Sequence, residues 1–202
     1  MLVDGINRGA RWVPTWAMYI MCLIPVPVLL YQGINGGLGI DPVKSLEHEL
    51  GEIALQLVIA GLCISPLRRI SGINLIKFRR TFGVLAFTYV VLHLVVWTVL
   101  DVQSLERVWA DIVKRPYITI GMAAFILMIP LAVTSNNKSV RRLGAAWRQL
   151  HLLTYPIALL AGVHFIWLRK GFQLEPIIYM VLICGLLAFR LLPKRQKVAA
   201  SA

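Results

Sequence analysis

Four histidines, at positions 48, 93, 151 and 164, lie in or at the ends of long apolar stretches. Ionisable groups inside a membrane are costly and face the interior of a helix bundle, so each is a candidate for function. His93 lies about twelve residues beyond Thr81, roughly 18 Å along a helix at 1.5 Å per residue. His164 lies about thirteen residues beyond His151, roughly 20 Å on the same scale. If the two helices run in the same direction, both imidazoles sit at one depth. Two histidines at one depth on different helices could ligate a single haem iron axially. Bis-histidine ligation leaves no open position on the iron and suits electron transfer rather than oxygen chemistry. The plain alternative is a bundle whose histidines hydrogen-bond neighbouring helices. It would prevail for one histidine and falls somewhat behind for a matched pair.

The other two histidines do not form such a pair. The position matching His151 on the third helix is Arg80. His48 opens the second helix at the opposite surface, a bilayer core of about 30 Å away. One bis-histidine site is therefore expected, and a second haem would need an unusual ligand. Around His151 the chain gathers Arg68, Arg69, Lys77, Arg79, Arg80, Arg141, Arg142 and Arg148. Such cations with a histidine could hold a phosphate, as in flavin mononucleotide (FMN). They could equally meet lipid headgroups, which composition alone favours. His48 could hydrogen-bond a haem propionate, replace one of the paired ligands or cap its loop. A supporting role fits its place nearer the surface.

These side chains need elements to position them. The chain has 202 residues and is 58% hydrophobic, against about 45–50% for a soluble domain. The excess is gathered into six runs, roughly 13–31, 48–67, 82–100, 116–134, 150–168 and 176–192, each near the ~20 residues a spanning helix needs. The expected fold is one all-α domain, a six-transmembrane-helix bundle over residues 1–202. The net charge of +12 is asymmetric. With the N-terminus inside, fifteen Lys and Arg fall on inner segments, and six (Lys44, Arg107, Lys114, Arg115, Arg169 and Lys170) on outer ones. That bias places both termini in the cytoplasm. The charge is then a topology signal and a means of meeting anionic lipid, with nucleic acid the weak alternative.

Smaller features complete the reading. The first run lacks a small-x-small cleavage site before Tyr31 and reads as a retained helix. Cys22, Cys63 and Cys184 fall inside helices without a CxxC pair and read as buried small hydrophobes. Residues 1–12 read as a short basic tail, and 193–202 as a frayed one. Trp147 suits a membrane interface. Segment 101–115 has the apolar spacing of a short amphipathic helix on the outer surface. No internal repeat stands out, and no GxGxxG strand-turn-helix is present to bind NAD(P)H.

The stretches GGLGIDPVKSLEHELG, AGLCISPLRR, FRRTFGVLAFTYVVLHL, KRPYITIG, PLAVTS and LGAAWRQLHLLTYPIALLAGVHFIW, in this order and spacing, resemble the MsrQ (YedZ) family. That family groups with the ferric reductase-like transmembrane proteins, and the likeness covers nearly the whole chain. The resemblance implies a haem b membrane subunit of a methionine sulfoxide repair system in the bacterial inner membrane. It implies electrons taken from the quinone pool or a cytosolic flavin reductase and passed to the periplasmic molybdopterin enzyme MsrP, with FMN as a further cofactor. It implies His93 and His164 as haem ligands and His151 as the inner family histidine. Arg80 departs from the superfamily's arrangement of two histidines on each of two helices, which favours a flavin at the inner level. The subunit would transfer electrons and not itself reduce methionine sulfoxide. The competing readings are a stand-alone ferric reductase and a metal transporter. The transporter reading lacks paired membrane carboxylates and cysteines with metal spacing. It has few helix breaks beyond Pro130 and Pro156.

Overall fold

The computed structural model describes residues 2–169 and 173–192. The expected outer cation Lys170 and the basic tail from residue 193 lie outside the described residues. Six helical stretches are long and apolar enough to cross a membrane: Thr15–Ile34, Pro42–Ser71, Ile76–Val102, Pro116–Val133, Ala145–Leu168 and Leu174–Leu191. They match the six apolar runs. Bulky apolar residues such as Ile20, Val28, Val99, Ile126, Ile166 and Val181 point outward. In a membrane, helices need not hide such residues, and each helix satisfies its own backbone.

The first span is two helices, α2 (Thr15–Leu23) and α3 (Pro25–Ile34), meeting at Ile24. Proline lacks the N–H that a helix interior uses and is favoured at a first turn, so Pro25 sets the join. The second span is one helix, α4 (Pro42–Ser71). It begins six residues before the apolar run because Asp41 caps it, accepting the Lys44 backbone N–H at 3.2 Å, and Pro42 supplies the first turn. Gly72, at φ 77°, ends it in the left-handed conformation that glycine adopts without strain. The third span is α5 (Arg79–Val95), running into a wide π-type turn over Val96–Val102. The Gln103 N–H reaching the Thr98 carbonyl at 3.0 Å shows the i to i+5 spacing. The fourth is α7 (Pro116–Val133). The fifth combines α9 (Ala145–Leu150), a 3₁₀ turn at His151–Leu153 and α10 (Thr154–Leu168). The sixth is α11 (Leu174–Leu191).

α4 is the central element, packed against α5, α11, α3 and α10. Its Leu50, Ala54 and Leu57 join Leu85, Ala86 and Tyr89 of α5 in one core. Its Leu55, Ile59 and Leu62 join Ala158 and Phe165 of α10 and Ile183 of α11 in another. Tyr89 is fully buried, and its hydroxyl donates to the Cys22 carbonyl at 2.6 Å, tying α2 to α5. Cys22 and Cys63 are partly buried, whereas Cys184 faces outward rather than inward as expected.

Two short surface helices flank the bundle. α6 (Leu105–Lys114) begins at Ser104, whose hydroxyl caps it, and Thr119 of α7 donates to its Ile112 carbonyl at 2.5 Å. This is the amphipathic segment expected at 101–115. Leu105, Trp109 and Val113 form an outward stripe, 65–86% exposed. A further helix, α8 (Asn137–Leu143), lies between the fourth and fifth spans.

The expected basic tail is instead a helix, α1 (Leu2–Trp12). It docks on the α4–α5 loop, with Asn7 making two of the contacts. Asn7 donates to the Gly72 carbonyl at 3.2 Å and accepts the Asn74 N–H at 2.7 Å. Lys77 then donates to the Arg11 and Val13 carbonyls at 3.0 and 2.7 Å, closing the helix C-terminus. Isolated helices this short are marginal, so docking is what holds α1. Asn7→Ala removes both bonds, at about 1 kcal/mol each. Amide exchange across residues 2–12 is expected to quicken roughly thirtyfold, and unchanged protection would contradict the docking account.

Candidate functional site

Two cavities lie between the spans, one toward each end. The end nearest Asp41 and Asp101 holds a cavity of about 230 Å³. His93 and His164 both line it, from α5 and α10. So do Leu55, Val90, Leu94, Phe125 and Ala161, which make its walls apolar, and Trp97 of the π-type turn. Lys44, His48 and Arg115 add cations and a third histidine, and Glu47, Glu52 and Asp101 add carboxylates.

Each paired imidazole is pinned to a neighbouring helix. His93 Nδ1 meets the Glu47 carbonyl of α4 at 2.8 Å, and His164 Nδ1 meets the Tyr117 carbonyl of α7 at 2.7 Å. A carbonyl oxygen only accepts, so Nδ1 carries the proton in both rings and donates. Nε2 is then the lone-pair nitrogen. Histidines that bind metals are held in this way, the second nitrogen donating to a carbonyl and fixing tautomer and ring orientation. The cavity is thus lined by two imidazoles of fixed orientation from two helices, each with Nε2 left as its lone-pair nitrogen.

The second cavity, of about 610 Å³, lies at the basic end. It is lined by Lys77, Arg79, Arg80 and Arg148, with His151, and by no carboxylate among the described residues. Phe87, Trp147 and Tyr155 supply flat aromatic walls. Arg80 is braced by the Asn137 side chain at 2.6 Å. Behind Tyr155, Arg190 donates to its hydroxyl at 2.8 Å and to the Leu62 carbonyl at 2.9 Å. His151 repeats the pinned tautomer: its Nδ1 donates to the Trp147 carbonyl at 3.0 Å while its ring stacks on Trp147, centroids 3.8 Å apart. Its Nε2 is buried and has no hydrogen-bond partner among the described residues. A buried acceptor without a donor is costly unless something else satisfies it.

One layer of side chains separates the cavities. Met128 lines both. Phe87, on the basic side, stacks on Phe125, on the histidine-pair side, with centroids 5.9 Å apart and planes 3° from parallel.

The profile of the family described as "Ferric reductase like transmembrane component" matches residues 50–162. A protein of Agrobacterium fabrum named "Protein-methionine-sulfoxide reductase heme-binding subunit MsrQ" is 45% identical over 177 residues, 87% of this chain and 82% of its own. The protein of the same name from Brucella ovis is 42% identical over 185 residues, 91% of this chain and 84% of its own. The chain belongs to the MsrQ family. No solved structure matches it significantly.

Set in the MsrQ family, the structure sorts the residues singled out in the sequence. It brings His93 and His164 to one cavity, with His48 at the same end. It brings His151, Arg79 and Arg80 to the other, while Arg141 and Arg142 sit on α8. Trp147, expected at a membrane interface, also stacks on His151 and donates its indole N–H to the Thr134 carbonyl at 2.9 Å. The Glu47 and Tyr117 carbonyls, the Phe87–Phe125 stack and Met128 are not apparent from residue types alone. Only the near-equal separations of 46 and 47 residues from carbonyl to histidine hint at the first of these.

Proposed function

We propose that the chain is a haem b electron-transfer subunit of the bacterial inner membrane, with His93 and His164 as the axial ligands. The observation that carries this is the pair of imidazoles from α5 and α10, each pinned through Nδ1, that line one largely apolar cavity. The residues present fit the group. His93 and His164 would hold the iron through their imidazoles. Among the described residues no three His, Cys, Asp or Glu converge as a bare metal ion would require. Lys44, Arg115 and His48 are the groups for propionate carboxylates. When bound, haem supplies reversible one-electron chemistry; the protein sets ligand orientation, dielectric and access.

The basic-end cavity is proposed to hold FMN. Lys77, Arg79, Arg80 and Arg148 suit its phosphate, and Trp147, Tyr155 and Phe87 suit a flat ring. The buried His151 Nε2 offers the acceptor for a ring N–H. The remaining cations of that end face the anionic lipid of the cytoplasmic leaflet. In this reading both termini are cytoplasmic, by the positive-inside bias. Electrons enter from the quinone pool or a cytosolic flavin reductase and leave to periplasmic MsrP, which repairs methionine sulfoxide in periplasmic proteins. The names of the relatives support the partnership, each being the haem-binding subunit of a methionine sulfoxide reductase. α6 lies at the acidic end, beside the histidine-pair cavity through Arg115 and Asp101, and is the proposed docking surface for MsrP.

The test is directional. With the protein in liposomes, reduced FMN is supplied at the basic end, MsrP is placed at the other, and methionine sulfoxide loss is measured. Turnover is expected to require the chain. Deleting residues 104–114 is expected to slow delivery at least tenfold with haem content unchanged. Delivery that survives the deletion would reject the docking surface, and no delivery by the haem-loaded full chain would reject the route.

A further inference from the structure

The two pinned histidines share a second neighbour. One helical turn beyond Glu47, whose carbonyl holds His93, is Gly51; one turn beyond Tyr117, whose carbonyl holds His164, is Gly121. Each ring sets its Nδ1 edge against its glycine. A Cβ on Gly51 would stand 3.2 Å from His93 Nδ1 and 3.4 Å from its Cε1. A Cβ on Gly121 would stand 2.9 Å from His164 Nδ1 and 3.0 Å from its Cε1.

The i, i+4 relation explains why a glycine is needed. In an α-helix the carbonyl of residue i already accepts the N–H of residue i+4. The imidazole must therefore reach that carbonyl by passing over residue i+4, where any side chain would stand in the way. Without Cβ, the ring can come close enough for Nδ1–H to share the oxygen. The same device occurs twice, once between α4 and α5 and once between α7 and α10. It forms a repeat that the surrounding residues do not show.

We propose that Gly51 and Gly121 are positioning residues for the axial histidines: each forms, with the carbonyl four residues earlier, a socket that fixes the imidazole's plane and tautomer. The inference rests on the bis-histidine haem reading above. The two sockets differ in tightness. At Gly51 a methyl group needs the ring to yield by a few tenths of an ångström. At Gly121 it falls inside any tolerated contact, against a ring held at the α7–α10 packing. Substitution effects should therefore be graded.

The experiment compares purified, haem-loaded wild type with Gly121→Ala, Gly51→Ala and Gly185→Ala by electron paramagnetic resonance and redox titration. Gly185 is the control, because a Cβ there meets nothing within 4 Å. Gly121→Ala is expected to lose most of its low-spin signal. Gly51→Ala is expected to stay low-spin with shifted g-values and midpoint potential, and Gly185→Ala to match wild type. If Gly121→Ala does not accumulate, Gly51→Ala decides by the same criterion. Wild-type g-values and potential in the Gly51 and Gly121 variants would overturn the proposal, as would equal damage in Gly185→Ala. A wild type without any low-spin bis-histidine signal would instead overturn the haem reading itself.

Discussion

His164→Ala is expected to abolish the low-spin haem spectrum and to cut electron delivery at least about a hundredfold; changes to groups that merely orient metal ligands already cost 10–100-fold. The variant removes one of the two imidazoles that line the histidine-pair cavity and leaves His93 alone on its side. What remains is a five-coordinate, high-spin site or no haem. The loss should not come from unfolding. Tyr117 keeps its helical hydrogen bond when the imidazole leaves, and the core of α4 and α5 around Tyr89 is untouched. His93→Ala should behave alike, since its ring is held in the same way by Glu47. His151→Ala, in the other cavity, should keep the low-spin spectrum. Measuring reduced-minus-oxidised absorption beside delivery to MsrP separates ligand loss from partner loss. A normal spectrum in His164→Ala would assign the iron to other residues.

Arg79→Gln combined with Arg80→Gln is expected to weaken FMN binding roughly a hundredfold. Both guanidinium groups line the basic-end cavity, where no described carboxylate competes for them. A hydrogen bond to a charged group contributes about 1.5–3 kcal/mol, and both arginines are reached by solvent, so the lower figure applies. Two such bonds amount to about 3 kcal/mol, or two decades of affinity. Glutamine keeps a polar end that can hydrogen-bond while removing the charge, so the fold at the start of α5 should survive. Titration of the purified protein with FMN, followed by flavin fluorescence, reads the change directly. If the cations serve lipid instead, FMN affinity will not move and co-purified anionic lipid will fall. That result would remove flavin from this cavity and leave the histidine-pair site standing.

Much of this architecture was legible because membrane helices announce themselves by length and hydropathy. The six apolar runs became six spans, and counting residues along two of them was enough to set His93 and His164 at one level. The features that escaped depend on contacts between residues far apart in the chain. α1 carries Gly5 and Gly9, poor helix formers, and exists because Asn7 finds the loop at Gly72 and Asn74. The early start of α4 lies in a polar stretch where a cap, not hydropathy, sets the boundary. The π-type turn at Val96–Val102 looks in sequence like a plain apolar helix, yet it carries Trp97 and Asp101 of the cavity lining. The stacking of Trp147 on His151 follows from the helical turn between them, which residue type alone does not announce. The carbonyls that orient the imidazoles belong to backbone, which no residue-type pattern reveals.

The central claim is that one haem iron is held between His93 and His164. The most direct measurement is electron paramagnetic resonance of the oxidised protein, purified from haem-replete cells and paired with a haem-to-protein ratio. The expected result is a low-spin bis-histidine signal that disappears in both His93→Ala and His164→Ala and persists in His48→Ala. A folded protein without haem, or a low-spin signal that survives either of the first two substitutions, would contradict it.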